Sequence, residues 1–155
     1  MITEILAVAA AVVSGLGAGV FLAFSSGVMP GLARATDAAY VEAMRGINRA
    51  VINGLFLGAI FGAVPLLVAA AVAAFAEGAT AAGWLLTASG IVYLVGVLVV
   101  TGTRNVPMNE QLDRHPGTAA EARRGFERPW VRWNAVRTLS GVVATVLAVS
   151  ALIAL

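Results

Sequence analysis

Four stretches without a single charged residue occupy most of the chain. They are 29 residues between Glu4 and Arg34, 27 between Arg49 and Glu77, 26 between Glu77 and Arg104, and 18 after Arg137. A helix needs ~20 apolar residues to cross a hydrocarbon core ~30 Å thick. The pattern predicts an all-α integral membrane protein: a four-helix bundle forming a single domain, with spans at roughly residues 3–29, 50–76, 81–102 and 133–155. The last run is short for a span, so its helix is expected to start before Thr138 and to include Trp133 and Asn134.

Within the runs, small residues recur every fourth position: Ala11, Gly15, Gly19, Ala23 and Gly27, then Ala50, Gly54, Gly58 and Gly62. Such stripes let helix backbones approach closely in lipid. They predict that spans one and two pack together, with homo-oligomerisation through one stripe as the second choice. Pro65 is expected to kink span two. Short amphipathic helices are expected in the loops. Thr36 or Asp37 caps one over residues 35–49, which span two is expected to continue without a break. Asn105 and Pro107 open a second, and the capping-box pattern Thr118-x-x-Glu121 opens a third.

Composition narrows the chemistry. Cysteine is absent, which removes disulfides, thiolate metal sites and cysteine nucleophiles, and the single histidine, His115, cannot build a histidine metal site. No metal is expected. All ten basic residues are Arg, and none forms the dense run of a nucleic-acid-binding arm, so no nucleic-acid partner is expected. All ten lie in the two loops flanking spans two and three, while the opposite side carries only Glu4 and Glu77. The positive-inside rule then puts both loops in the cytoplasm and both termini outside, in a bacterial-type inner or plasma membrane. The acidic start Met1-Ile2-Thr3-Glu4 and the long first apolar run argue against a cleaved signal peptide.

The uncharged polar residues gather at the loop ends of the spans. Asn48, Arg49 and Asn53 open span two; Thr101, Thr103, Arg104, Asn105 and Asn109 close span three; Trp130, Trp133, Asn134 and Arg137 open span four at helical spacing. A bundle would bring them into one ring, which is how helix-bundle ligand sites are built. Arg and Trp at a membrane boundary are also ordinary anchors, and Asn near a helix start is an ordinary cap. Asn53, Asn134 and Arg137 stand out because polar groups close to hydrocarbon need partners. Tyr93, near the middle of span three, needs one too. No carboxylate lies inside a span, which speaks against a proton-coupled carrier.

Four segments carry a family resemblance: Phe24-Ser25-Ser26-Gly27-Val28-Met29-Pro30, Ala43-Met44-Arg45-Gly46-Ile47-Asn48-Arg49, Asn105-Val106-Pro107-Met108-Asn109, and Trp130 to Thr138. In this order the chain resembles the anthrone-oxygenase-like family of small four-span membrane proteins. The resemblance implies oxidation of a flat aromatic or phenolic substrate, such as an anthrone, by O₂ and without a cofactor. Deprotonating an anthrone gives an electron-rich anion that reacts with O₂ directly. Arg137, Asn134 and Asn105 are then the candidate catalytic residues, the first two as oxyanion partners. Asn48, Arg49, Asn53, Asn109, Trp133 and Tyr93 are the candidate substrate-binding residues, with Trp133 as stacking wall. The base is left open among a water, Tyr93 and a loop carboxylate such as Asp113.

The rival is a non-enzymatic membrane scaffold or a lipid- or quinone-binding protein. The two make different structural demands. A site needs a partly apolar cavity among polar groups that keep bonding capacity, whereas a scaffold bonds the same groups to one another. The expected partners are the lipid bilayer and, for the enzyme, a small aromatic ligand.

Overall fold

The computed structural model describes residues 1–155 and is all helix. Four helices are long and apolar enough to cross a membrane: α1 (Ile2–Leu32), α3 (Gly54–Ala76), α4 (Thr80–Arg114) and α5 (Ala119–Ile153). A fifth, α2 (Asp37–Ala50), lies between the first two spans. In cross-section the spans follow the order α1–α3–α4–α5, with α1 and α4 on opposite corners. Outward-facing Val12, Leu16, Val72, Ile91, Leu139 and Val146 are exposed. Such a surface is stable against hydrocarbon and not against water.

The interior is built largely from alanine. Ala7, Ala10, Ala63, Ala70, Ala74, Ala82, Ala144 and Ala148 are fully buried, around Leu67, Leu86, Tyr93 and Val97. Small side chains bring the backbones close and gain dispersion contacts where lipid supplies no hydrophobic drive. Spans one and two pack together as expected, but most glycines of the stripes do not make the approach. A Cβ at Gly19, Gly27, Gly54 or Gly58 would meet nothing within 4 Å, whereas one at Gly62 would stand 3.5 Å from Val13 of α1; Ala11 of the stripe and the other core alanines supply the rest of the contact. The close approach lies elsewhere: a Cβ on Gly141 of α5 would stand 3.1 Å from the Cα of Ala18 in α1.

Helix ends follow local chemistry. The Thr36 hydroxyl accepts from the Ala39 N–H, and Thr118 with Glu121 forms the full capping box. Gly78 takes φ 79° in the α3–α4 turn, where the Ala79 N–H returns to the Ala74 carbonyl. Contrary to expectation, α2 does not run into α3. The chain breaks at residues 51–53, and Asn53 starts α3 by accepting the Phe56 N–H at 2.9 Å. α3 is interrupted at Gly62, beside the Phe61 carbonyl that Pro65 cannot serve. Nor do separate short helices form in the second loop. Residues 106–114 prolong α4, and residues from 119 onward belong to α5, so only residues 115–118 are non-helical. Pro107 and Pro129 are absorbed in helix because neighbouring helices and side chains can satisfy the carbonyls that they leave.

Three widened, π-type turns interrupt the ladders, at Phe24–Val28 in α1 and at Leu94–Val99 and Thr101–Asn105 in α4. All three lie in the half of the bundle nearest the loops. Beyond it, α2 buries Tyr40, Val41 and Met44 against Met29, Leu112, Phe126 and Trp130. Two arginines fasten this layer. Arg45 donates to the Leu112 carbonyl at 2.7 and 3.1 Å. Arg123 bonds the carbonyls of Ala33 and Ala35, pairs with Asp37 and Glu127, and lies over the Tyr40 ring.

Candidate functional site

Trp130, Asn134 and Arg137 share one face of α5 by their spacing of four and three, and all three are buried. Arg137 is only 6% exposed. Its Nη2 donates to Asn134 Oδ1 at 2.8 Å and its Nη1 to Thr101 Oγ1 at 3.3 Å. The guanidinium lies 4.3 Å from the Phe21 ring centre and 5.4 Å from that of Trp130. The side-chain ion pairs of the molecule belong to Arg114 and Arg123; Arg137 has none. Its Nε is buried without a partner. A buried cation is stable only with compensation, and here amide, hydroxyl and aromatic faces supply it without a carboxylate.

Asn134 is the joint behind this arginine. Its Nδ2 donates to the Phe21 carbonyl at 2.9 Å and to Ser25 Oγ at 2.8 Å, while its Oδ1 receives Arg137. Both amide hydrogens and the oxygen are engaged, so Asn134 ties α1 to α5 and fixes the guanidinium plane. On α4, Thr101, Asn105 and Asn109 follow at intervals of four. Asn105 is 1% exposed; its Nδ2 reaches the Trp130 carbonyl at 3.5 Å, and its Oδ1 is unpartnered. Asn109 Oδ1 accepts from the Trp130 indole at 2.8 Å. On α2, Asn48 holds a buried Nδ2 without a partner.

These groups surround a cavity of about 310 Å³. Phe21, Phe24, Phe56, Ile60 and Trp130 make its apolar wall, and Asn48, Arg49, Thr101, Asn105, Asn109 and Arg137 its polar part. Glu110 and Asp113 also line it. Three residues that line this apolar space each carry a buried, unpartnered polar atom: a donor on Arg137, a donor on Asn48 and an acceptor on Asn105. Buried polar atoms are almost always satisfied, and such a cluster beside a cavity is suited to an amphipathic guest.

The structure brings Asn48, Arg49, Asn105, Asn109 and Arg137 together at the cavity and leaves the other candidates outside its lining. Asn134 stands behind Arg137. Asn53 is occupied as the helix cap, with its Nδ2 on the Ala50 carbonyl. Trp133 points to another side of α5 and carries Arg104 over its ring at 4.9 Å, so the aromatic wall is Trp130. Tyr93 is buried in the alanine core with its hydroxyl against Gly17, too deep to reach the cavity. Of the groups considered as a base, Asp113 lines the cavity and Tyr93 does not. The sequence reading did not single out Phe21, Phe24 and Glu110. Only their neighbourhood to polar positions could have signalled them.

The family model described as anthrone oxygenase matches residues 53–147, more than half of the chain. The chain belongs to the anthrone oxygenase family. The matched segment covers α3, α4 and most of α5, and so contains Thr101, Asn105, Asn109, Trp130 and Arg137 of the cavity. Phe21, Phe24 and Asn48 complete the cavity from outside the matched segment. No curated protein and no solved structure matches the chain.

Proposed function

We propose that this protein is a membrane oxygenase that oxidises a flat phenolic substrate of the anthrone type with O₂ in the cavity between α1, α3, α4 and α5. The observation that carries this reading is Arg137: a buried guanidinium without a carboxylate, at the edge of an apolar space lined by aromatic rings. Such a group favours a ligand that brings its own negative charge and delocalises it over a ring system. A scaffold would leave the polar ring bonded to itself. The unpartnered atoms of Arg137, Asn48 and Asn105 support a ligand site instead.

The chemistry needs three things from the chain. A carboxylate, Asp113 or Glu110, takes a proton from the methylene carbon between the two aromatic rings. Arg137 and Asn48 donate to the oxygen on which the charge collects, and Trp130 and Phe24 hold the ring plane. The anion passes its electrons to O₂. A carbon–oxygen bond forms, a second proton leaves the carbon, and the oxygen–oxygen bond breaks to give the quinone carbonyl and one water. One anthrone and one O₂ thus give one anthraquinone and one water. In this reading both loops face the cytoplasm, and the carboxylates return the two protons taken from the carbon to the departing oxygen, which leaves as water.

Purified protein in lipid nanodiscs, given anthrone in air-saturated buffer, is expected to consume O₂ and anthrone in equal amounts and to form anthraquinone. A rate no greater than that of empty nanodiscs, across anthrones with and without ring hydroxyls, would overturn the assignment.

A further inference from the structure

The cavity has two unlike sides. Toward the loops it is bordered by α2, which packs on α5 and on the loop end of α4 and is fastened by Arg45 and Arg123, and its lining there is exposed to water. The residues there are charged: Arg49, Glu110 and Asp113. Between α3 and α4 the lining is different. Leu57, Phe61 and Val106 line the cavity and are also exposed, at 40%, 51% and 41%. The first half of α3, Gly54–Phe61, packs on α1 and makes no comparable contact with α4, although the second half of α3 packs closely on α4. The bundle is therefore zipped at its far end and parted at the loop end. The parted stretch of α4 is the one with two widened turns, which often mark functional positions in helices.

We infer that the cavity exchanges its ligand with the bilayer, through the gap between α3 and α4 rimmed by Leu57, Phe61 and Val106. The ligand is a flat, lipid-soluble molecule with one acidic oxygen: the ring body slides between the apolar rims and the oxygen meets Arg137. Water uses the charged side. This inference rests on the cavity being the ligand site, as proposed above, and not on the oxidation. A molecule that partitions into the leaflet is delivered at raised local concentration and never crosses the α2 layer. Gly54 and Gly58, with open space where a side chain would stand, keep the adjoining face of α3 free of bulk.

The route is tested by binding kinetics in nanodiscs, with Trp84→Phe and Trp133→Phe in place so that Trp130 is the only indole. Two flat probes are compared by stopped-flow quenching of Trp130: 1-hydroxyanthraquinone, which dissolves in lipid, and anthraquinone-2-sulfonate, which its charge holds in water. The lipid-soluble probe is expected to bind saturably and to associate at least about tenfold faster than the sulfonate. Leu57→Phe and Val106→Phe together are expected to slow its association and its dissociation alike, about tenfold, with little change in Kd. Val143→Phe, on a different exposed face, should change neither rate. Equal association of the two probes would overturn the route without any rim variant. Unchanged rates in a folded rim variant would do so as well. Absence of saturable quenching removes the ligand site and the route with it. Saturable quenching without turnover leaves the route standing and removes the oxygenase.

Discussion

Arg137 reaches Asn134 and Thr101 through two different nitrogens, and a lysine has one ammonium to serve both. Arg137→Lys keeps the charge and loses the planar fork, so the variant is expected to insert and fold while turnover of anthrone drops about 10²-fold. An arginine that only anchored the helix would tolerate the exchange, because either side chain can snorkel. Asp113→Asn and Glu110→Gln divide the work differently. If a cavity carboxylate takes the proton, removing both is expected to cost about 10²–10⁴-fold in kcat and to leave binding of 1-hydroxyanthraquinone within about threefold. Loss of binding in step with kcat would show that the carboxylates hold the substrate instead. Asn134→Leu leaves the Phe21 carbonyl and Arg137 without their partner. It is expected to destabilise the protein by about 1–3 kcal/mol, read in detergent unfolding. Among these residues Asn134 and Arg137 were legible from sequence as polar positions near hydrocarbon that require partners. That Asn134 serves as a joint was not, because a side chain's partners depend on which helices face it.

At the level of helices, the glycines separate two kinds of small residue. Gly58→Leu adds bulk where a Cβ meets nothing and is expected to change stability by less than about 0.5 kcal/mol. Gly141→Leu drives a side chain into the backbone of Ala18 and is expected to cost about 1–3 kcal/mol or more, by the same detergent unfolding. Equal stability of the two variants would show that close approach at Gly141 does not hold the bundle. A repeat of four in the sequence shows where a helix is slim and not what lies beside it. The four spans were legible because length and absence of charge suffice to define them. The misplacement of Tyr93 and Trp133 has a geometric cause. Each widened turn of α4 advances the chain by one residue beyond the regular repeat, so positions before and after it do not keep a common helical phase. On α5, which has no such turn, Trp133 lies one position before the face that Asn134 and Arg137 share.

For the whole molecule, the two loop-end helices outgrow the membrane. At 35 residues each, α4 and α5 reach about 52 Å against a hydrocarbon core of ~30 Å. The excess stands at the arginine-rich end and carries the layer formed with α2. If the loops face the cytoplasm, as the positive-inside rule predicts, a cysteine at Glu77 is expected to react with an impermeant thiol reagent on intact cells, and one at Gln111 only after the cells are opened. The reverse labelling would invert the molecule and put the charged side of the cavity outside.

The missing counter-charge of Arg137 also bears on the acidity of whatever it holds. Binding and ionisation of a weakly acidic guest form a closed thermodynamic cycle. A site that holds the anion ~100-fold more tightly than the neutral form lowers the guest's own pKa by about two. The protein then acts as a solvent in which a phenol or an anthrone is a stronger acid than in water. Bound 1-hydroxyanthraquinone is accordingly expected to turn to its ionised colour about two pH units below the transition in empty nanodiscs, and Arg137→Gln to restore the ordinary transition. An unshifted transition in the native protein would mean that the guanidinium does not meet the ionising oxygen.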